Sequence, residues 1–560
     1  MAISKGSRWL LLAGTALAMV ACGDEEPGGN DTPNPPSGVT VTATSAVAAR
    51  VTFSPVSGAT GYLVERAEGA TGGTFAQVGT PTAPPFDDTG LSPQTTYRYR
   101  VTTVSGGKQS SASAEATVTT PDRALTVINA DITTSTTWTA DKKYRLTGFI
   151  HVANGATLTI EPGTIIEGDF NTVGSSLFVL RGARLVANGT AAKPIVFTSS
   201  QPVGQRKAGD WGGLILVGNG IINRTAPVIL EGTGTNTTTN PAIDYAGGTN
   251  NADASGSLQY VRVEFAGYAT APDAELNSFT FAAVGSGTTL DYLQALNGLD
   301  DSFEWFGGAV DAKHLVSYNA GDDHFDISEG YVGRIQFAIA YQQIQVVPRP
   351  AAGNVSQDPQ GIENDGCSGA NCTAGQNTQP YTVPLIANFT LVGPPAGVNT
   401  QGSGLVGAML RRGTGGFYVN GHIARWGRAA LSLRDQPTLD RITGGQLLVN
   451  NLLLTENAVT FQPQTGATIQ GTVDATANAL DANAATTASV FTTFPTAPTG
   501  PASFDWTPSA ASAARTGGLA TFSGALATKA GTVVTGTAYR GAADPNGPKW
   551  WQGWTNYAEN

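Results

Sequence analysis

Asn297–Val310 reads NGLDDSFEWFGGAV, and Asn319–Val332 reads NAGDDHFDISEGYV. The two stretches are one unit written twice at a constant offset of 22 residues. Asn297 matches Asn319, Asp300 matches Asp322, Asp301 matches Asp323, and Phe303 matches Phe325. Glu304 with Asp326, Gly308 with Gly330 and Val310 with Val332 complete the alignment. A period in this range, made of short apolar runs and glycine turns, predicts a β-solenoid in which each repeat forms one coil. Side chains alternate along a strand, so Phe303 and Trp305 share an inner face with Phe325 and Ile327 one coil on. Asp300, Ser302 and Glu304 are then expected to point outward, above Asp322, His324 and Asp326.

Coil spacing extends in both directions from this repeat. Ile150–Val152, Leu158–Ile160 and Thr164–Ile166 are three brief runs separated by Gly155 and Gly163. The next coil repeats them as Leu177–Leu180, Arg184–Val186 and Ile195–Phe197. Coils resume after the repeat at Pro384–Val392, Ala408–Arg412, Gly416–Trp426 and Leu447–Leu454. One coil cannot bury its apolar face alone, so the array must be long. Two polar stretches, 222–257 and 347–381, read as loop excursions, the usual place for binding residues on a scaffold. Trp211, beside Gly212-Gly213, reads as a packing residue at a tight turn, with sugar stacking as the alternative. Trp550, Trp551, Trp554 and Tyr557 are too dense to be left in water. They are expected to cap the last coil, where open strand edges invite aggregation; a glycan platform is the alternative.

With 560 residues the chain exceeds one ordinary core. Its 41% hydrophobic content rules out general disorder. Strand-like alternation and the scarcity of long amphipathic patterns make it all-β. The net charge of −11, with no Lys/Arg run, argues against a nucleic-acid partner.

The N-terminus joins a basic start (Lys5, Arg8) to an apolar run (Trp9–Val20) and ends in Met19-Val20-Ala21-Cys22. It resembles a bacterial lipoprotein signal. That resemblance implies removal of residues 1–21, lipidation of Cys22, and export to the outer membrane or cell surface by a lipid anchor. A plain signal peptide is the alternative. Removal would take the charge from −11 to −13 by loss of Lys5 and Arg8. Residues 22–36 read as a flexible tether. In an oxidising compartment Cys367 and Cys372, in CSGANC, are expected to form a local disulfide rather than a zinc site.

Residues 37–121 read as a small β-sandwich. Leu91-Ser92-Pro93-Gln94-Thr95-Thr96-Tyr97-Arg98-Tyr99 and GYLVERA (Gly61–Ala67) resemble fibronectin type III domains. That family implies Leu91 in the core, Tyr97 as the tyrosine corner, and a spacer or binding role. Phe53 stands where the family usually carries Trp. Residues 122–560 read as the β-helix domain, and from about Leu125 to Asn560 the chain resembles a family of bacterial surface proteins with right-handed parallel β-helix repeats. The motifs are NGATLTIEPGTIIEGD (Asn154–Asp169), GDWGGLILVG (Gly209–Gly218), LQYVRVEFAG (Leu258–Gly267), DDSFEWFGG, GDDHFD and WWQGWTNY (Trp550–Tyr557). The resemblance implies the fold and brings no activity with it.

Function is sought first in the outer acidic stack. Coils lie ~4.8 Å apart, so Asp300, Glu304, Asp322 and Asp326 would crowd one patch, and like charges repel. Glu363 and Asp365 in GIENDG add a further rung. Oxygen ligands suit Ca²⁺, making these six residues the expected metal ligands and Ca²⁺ the expected cofactor. Alternatively Asp301 and Asp323 hydrogen-bond turn amides, as Asp often does, and Asn297 and Asn319 form an Asn ladder. Polysaccharide lyases of β-helix fold are similar in stacking acids that hold Ca²⁺ beside a basic residue. That likeness makes Lys313, Arg334, Arg411 and Arg412 candidate bases, and His314 and His324 candidate proton carriers. His151 and His422 read as ordinary strand residues. The expected function is a lipid-anchored surface protein for binding, adhesion or structure, with polysaccharide or another surface glycan as partner. The alternative is a Ca²⁺-dependent lyase or hydrolase.

Overall fold

A computed structural model describes residues 32–398, 404–495 and 504–558. The signal segment 1–21, Cys22 and most of the tether lie outside the described residues. The chain divides into two compact units between Pro121 and Asp122.

In the first unit Thr40–Ser45, Ala48–Thr52 and Phe86–Thr89 form one antiparallel sheet. The second sheet is built on Gly61–Glu68 and Thr96–Ser105. Their inner faces bury Val51, Phe53, Tyr62, Val64, Leu91, Tyr97 and Tyr99. The Ser92 amide donates to the Tyr97 hydroxyl at 2.8 Å, closing the corner. Phe53 lies in this core and packs edge-on to Tyr62.

The second unit is a parallel β-helix. Its strands stack into a long sheet reaching from Thr136–Trp138 to Asp481–Asn483 and a ten-stranded sheet that begins at Phe149–Val152. Each copy of the 22-residue unit supplies one strand to each sheet: Phe303–Phe306 and Asp311–Tyr318, then Phe325–Ser328 and Arg334–Tyr341. Register is strict. Phe279, Phe303, Phe325 and Ile362 stack in one column, and Phe281, Trp305 and Ile327 in the next. These side chains are fully buried. Each contributes roughly 1.5–3 kcal/mol of apolar burial, which explains why the repeat keeps aromatic residues there. Gly308 and Gly330 sit at the same turn with φ of 76° and 85°, a conformation that costs glycine little. Gly321 lets the chain approach Leu299, whose carbonyl oxygen would lie 1.7 Å from a Cβ.

Two features differ from expectation, the 347–381 stretch and the aromatic tail. Residues 347–381 are not one excursion, because Gln360–Asp365 is a fully paired coil strand between two loops. Trp211 is the expected packing residue: it is wholly buried, donates its indole N–H to the Glu264 carbonyl at 2.8 Å and stacks on Phe197, which removes the sugar-stacking alternative. The aromatic tail covers the flank of the coils rather than the open end of the last one. Asn451 meets Gly517, Asn388 meets Thr537, Gln336 meets Thr535, Gln294 meets Asn556 and Arg262 meets Trp554. The C-terminal segment therefore runs back along the solenoid. It buries Trp551, Trp554 and Tyr557 against Tyr318, Tyr341 and their neighbours. Beneath it, Tyr260, Tyr292, His314 and Phe337 occupy one left-handed position in successive coils and stack face to face at 4.3–5.1 Å.

Candidate functional site: a roofed carboxylate row

The ten-stranded sheet carries Thr280, Glu304, Asp326 and Glu363 in register on its outer face. At the start of each strand the chain turns a corner, and there Asn277, Asp301 and Asp323, two residues before Phe279, Phe303 and Phe325, and Gln360, the first residue of its strand and two before Ile362, occupy a second column. Each corner side chain accepts the backbone amide of the next coil. Asp301 N donates to Asn277 Oδ1 (3.1 Å), Asp323 N to Asp301 Oδ1 (2.8 Å) and Gln360 N to Asp323 Oδ1 (2.5 Å). Val406 N donates to Gln360 Oε1 at 2.9 Å. Asp301 and Asp323 thus bond amides between coils rather than within their own turns. Asn319 donates to Asn297 Oδ1 at 3.0 Å, the Asn ladder.

The outward carboxylates are largely covered: Glu304 and Glu363 are buried, and Asp300, Asp322 and Asp326 are half-buried. The loops before and after Gln360–Asp365, the 222–257 excursion and the Ala269–Glu275 hairpin fold over them. Among the described residues, four sets of three carboxylates bring oxygens within 4.8 Å of one another. They are Glu231–Glu275–Asp300, Asp300–Asp301–Asp322, Asp301–Glu304–Asp326 and Asp323–Asp326–Glu363. Neighbouring sets share Asp300, Asp301 or Asp326, so the row is continuous. One end opens into a cleft of about 770 Å³ lined by Tyr268, Asp273, Glu275, Asp300 and Ser356. The other opens into a cleft of about 200 Å³ lined by Arg224, Glu304, Asp326, Ser328, Glu363 and Arg412.

Burial, reinforced by neighbouring carboxylates, raises the pKa of Asp300, Asp301, Glu304, Asp323, Asp326 and Glu363 well above the usual range. Asp322 is pushed up to about 6 by burial. Asn277 donates to Glu304 and thereby meets part of its demand. One oxygen each of Asp322 and Asp326, out of contact with solvent, has no hydrogen-bond partner. Unpaired buried charge is costly. A divalent cation with oxygen preference is the counter-charge that fits this donor set.

The expected ligands Asp300, Glu304, Asp322, Asp326 and Glu363 thus converge in the row. Asp365 belongs to none of the four sets; it lines the narrow cleft with Glu304, Asp326 and Glu363 and is held by Arg411 at 2.9 Å and by Arg412. Arg411 also contacts Glu363. Burial opposes the charge on Arg411, but Asp365 and Glu363 outweigh it and raise its pKa. His324 does not join the acids. It points inward, with Nδ1 2.5 Å from Ser317 Oγ, which in turn donates to Ser302. Ser302 and His324 each precede their strands, Phe303–Phe306 and Phe325–Ser328, so strand alternation does not govern them. Burial lowers the His324 pKa to about 3. Lys313, His314 and Arg334 lie on strands of the other sheet; His314 pairs with Asp291 and Arg334 with Asp311.

Glu231, Glu275 and Asn277 were absent from the sequence expectation. The two glutamates come from loops outside the 22-residue register and leave no periodic trace. Asn277 did leave one: NSFTF (277–281) and DSFEW (301–305) are the same unit.

A family model for the pectate-lyase-like β-helix domain matches residues 130–507, and one for the fibronectin type III domain matches residues 34–119. No curated protein matches the chain. Among solved structures, an Fn3-like protein from Clostridium thermocellum is 32% identical over 16% of this chain and 96% of its own, with a TM-score of 0.15. The FN5 domain of Drosophila Lar is 24% identical over 16% and 97%, also at 0.15. The titin kinase with its flanking domains is 25% identical over 16% of this chain, which spans 17% of that one, again at 0.15. The β-helix match covers well over half of the sequence, and the chain belongs to the pectate-lyase-like β-helix family, with a fibronectin type III domain ahead of the helix.

Proposed function

We propose that this is a lipid-anchored surface protein that holds Ca²⁺ along the roofed row and engages polysaccharide or another surface glycan through its loops. The observation that carries the cation reading is the linked carboxylate sets with unpartnered oxygens on Asp322 and Asp326. Asp300, Asp301, Glu304, Asp322, Asp323, Asp326 and Glu363 would hold the cations, with Glu231 and Glu275 at the wide cleft. Bound there, Ca²⁺ supplies positive charge and oxygen coordination. The lipobox-like Met19–Cys22 supports the anchor, and the family's domain composition fits a surface or polysaccharide-related role. Among the described residues no helix is long and apolar enough to cross a membrane.

The lyase alternative draws on Arg411 and Arg412 beside the row. Arg411 is a poor base, because two carboxylates hold its guanidinium firmly protonated. A terbium-luminescence titration with Ca²⁺ competition tests the cation reading. Saturable binding, lost in Asp322→Asn/Asp326→Asn, is expected. A wild-type chain that shows no binding and no Ca²⁺-dependent rise in Tm would sink it. Radiolabelled palmitate incorporation that persists in Cys22→Ala would remove the anchor at that residue. Cleavage of any of a panel of acidic and neutral polysaccharides would favour the alternative.

A further inference from the structure

Cys367 and Cys372 are joined by a disulfide. The bond closes the loop that directly follows Gln360–Asp365, the strand carrying Glu363. This loop is bound to the 222–257 excursion rather than to the coil beneath it. Thr225 N donates to the Asn371 carbonyl at 3.1 Å, and Asn371 Nδ2 donates to the Pro227 carbonyl at 2.6 Å. Cys367 Sγ lies 3.7 Å from the Asn223 carbonyl oxygen. Between these contacts Arg224 pairs with Glu329, which also accepts from Tyr245. A few residues on, the same excursion delivers Glu231 to the carboxylate row. Gly366 and Ser368 meanwhile line the narrow cleft together with Glu304, Asp326 and Glu363.

Two loops from distant parts of the chain therefore close over the row, and the disulfide loop is where they meet. The loop has little else to hold it. Ser368, Gly369 and Ala370 are exposed and bury nothing, and a six-residue loop that buries only Cys367 gains little from apolar burial to order it. Cys367 is buried, whereas Cys372 is partly open to solvent. Of the two, Cys372 is the one a small dithiol would reach first.

We infer that the Cys367–Cys372 disulfide is a redox-operated clasp that keeps the roof closed over the carboxylate row. The thiolate of a dithiol reductant attacks Cys372 Sγ, the S–S bond breaks, and Cys367 leaves as a thiolate that takes up a proton. The second thiol of the reductant then displaces Cys372 and becomes oxidised, so two electrons and two protons pass to the protein. Asn371 is no longer fixed, and the 223–231 segment loses its bonds to the disulfide loop, while Arg224 keeps Glu329 and Val228 and Leu230 keep their hydrogen bonds to residues 243–245 and their apolar burial. The role in cation retention rests on the reading given under Proposed function. Linkage then requires reciprocity: if reduction weakens cation binding, bound cation makes the disulfide harder to reduce.

The test compares the oxidised full chain, the dithiothreitol-reduced chain and Cys367→Ser/Cys372→Ser by hydrogen exchange and terbium titration. On reduction, exchange in residues 223–231 is expected to accelerate at least about tenfold while strands 279–282 and 303–306 stay protected. Terbium affinity should fall, and reoxidation should restore both. Asn371→Ala, which keeps the disulfide, should reproduce part of the acceleration. Unchanged exchange in 223–231 after complete reduction would overturn the clasp, as would equal deprotection of the strands. Faster exchange with unchanged terbium affinity would overturn its coupling to the row. If the oxidised chain binds no terbium, the cation reading fails and exchange alone decides the clasp.

Discussion

Asp301 Oδ1 accepts the backbone amide of Asp323 from the next coil at 2.8 Å, while the Asp301 carboxylate also belongs to two of the cation-competent sets. One side chain thus has a structural task and an electrostatic one, and two substitutions separate them. Asp301→Asn keeps an acceptor for the Asp323 amide and removes the charge. It should fold normally and weaken cation binding. Asp301→Ala leaves a buried amide unpaired, which costs about 1–3 kcal/mol. Denaturant melts in chelator should therefore rank Asn at or above wild type and Ala below both. Equal destabilisation by Asn and Ala would deny the separation.

The inner half of the repeat was readable because strand periodicity and apolarity agree there. Phe303, Trp305, Phe325 and Ile327 alternate at period two and lie where that alternation puts them. The outer half was readable only as to side. Asp300, Glu304, Asp322 and Asp326 do leave the core, but nothing local shows that loops from residues 222–257 and 269–275 return to cover them. Glu231 and Glu275 come from those loops and were invisible for the same reason. His324 was misplaced because it sits at a corner, where backbone direction rather than alternation orients the side chain. The aromatic tail was legible as a cover, but not which coils it covers, since that depends on contacts such as Gln294 with Asn556 across a large sequence separation.

The aromatic ladder makes a prediction about stability alone. Trp305 is fully buried between Phe281 and Phe325. Trp305→Ala should cost about 3–5 kcal/mol. The loss should spread to neighbouring coils, because each repeat is stabilised by its neighbours. Hydrogen exchange of Phe279–Ala282 and Phe325–Ser328 reads this out. Destabilisation confined to Phe303–Phe306 would contradict the solenoid coupling.

His422 gives a pH dependence away from the row. It is buried between coils, with Nε2 2.9 Å from Thr455 Oγ1 and Nδ1 unpartnered. Burial, with a smaller contribution from Arg540, lowers its pKa to about 3 from 6.5. Between these values the unfolded chain binds more protons than the folded one. The stability tied to a neutral His422 is therefore full above pH 6.5 and is lost as pH falls towards 3. His422→Gln, which cannot charge, should flatten the fall in stability over that window relative to wild type. Parallel curves would show that His422 does not stay neutral in the fold.

Asp326 allows a test in which the sign of the effect, not its size, decides. Its carboxylate is crowded by Asp301, Glu304, Asp323 and Glu363, and one oxygen lacks any partner. Without a cation, desolvation and repulsion oppose folding. Removing that charge should then relieve the strain, so Asp326→Asn should raise Tm in chelator. If the row takes up Ca²⁺ as proposed, then with Ca²⁺ in excess the same carboxylate serves as a ligand, and its loss reduces binding free energy that is coupled to folding. There Asp326→Asn should lower Tm relative to wild type. A carboxylate serving only as a hydrogen-bond acceptor would shift Tm in the same direction under both conditions. Thermal melts of the two proteins in chelator and in millimolar Ca²⁺ distinguish the cases, and a shift that keeps its sign would remove Asp326 from the ligand set.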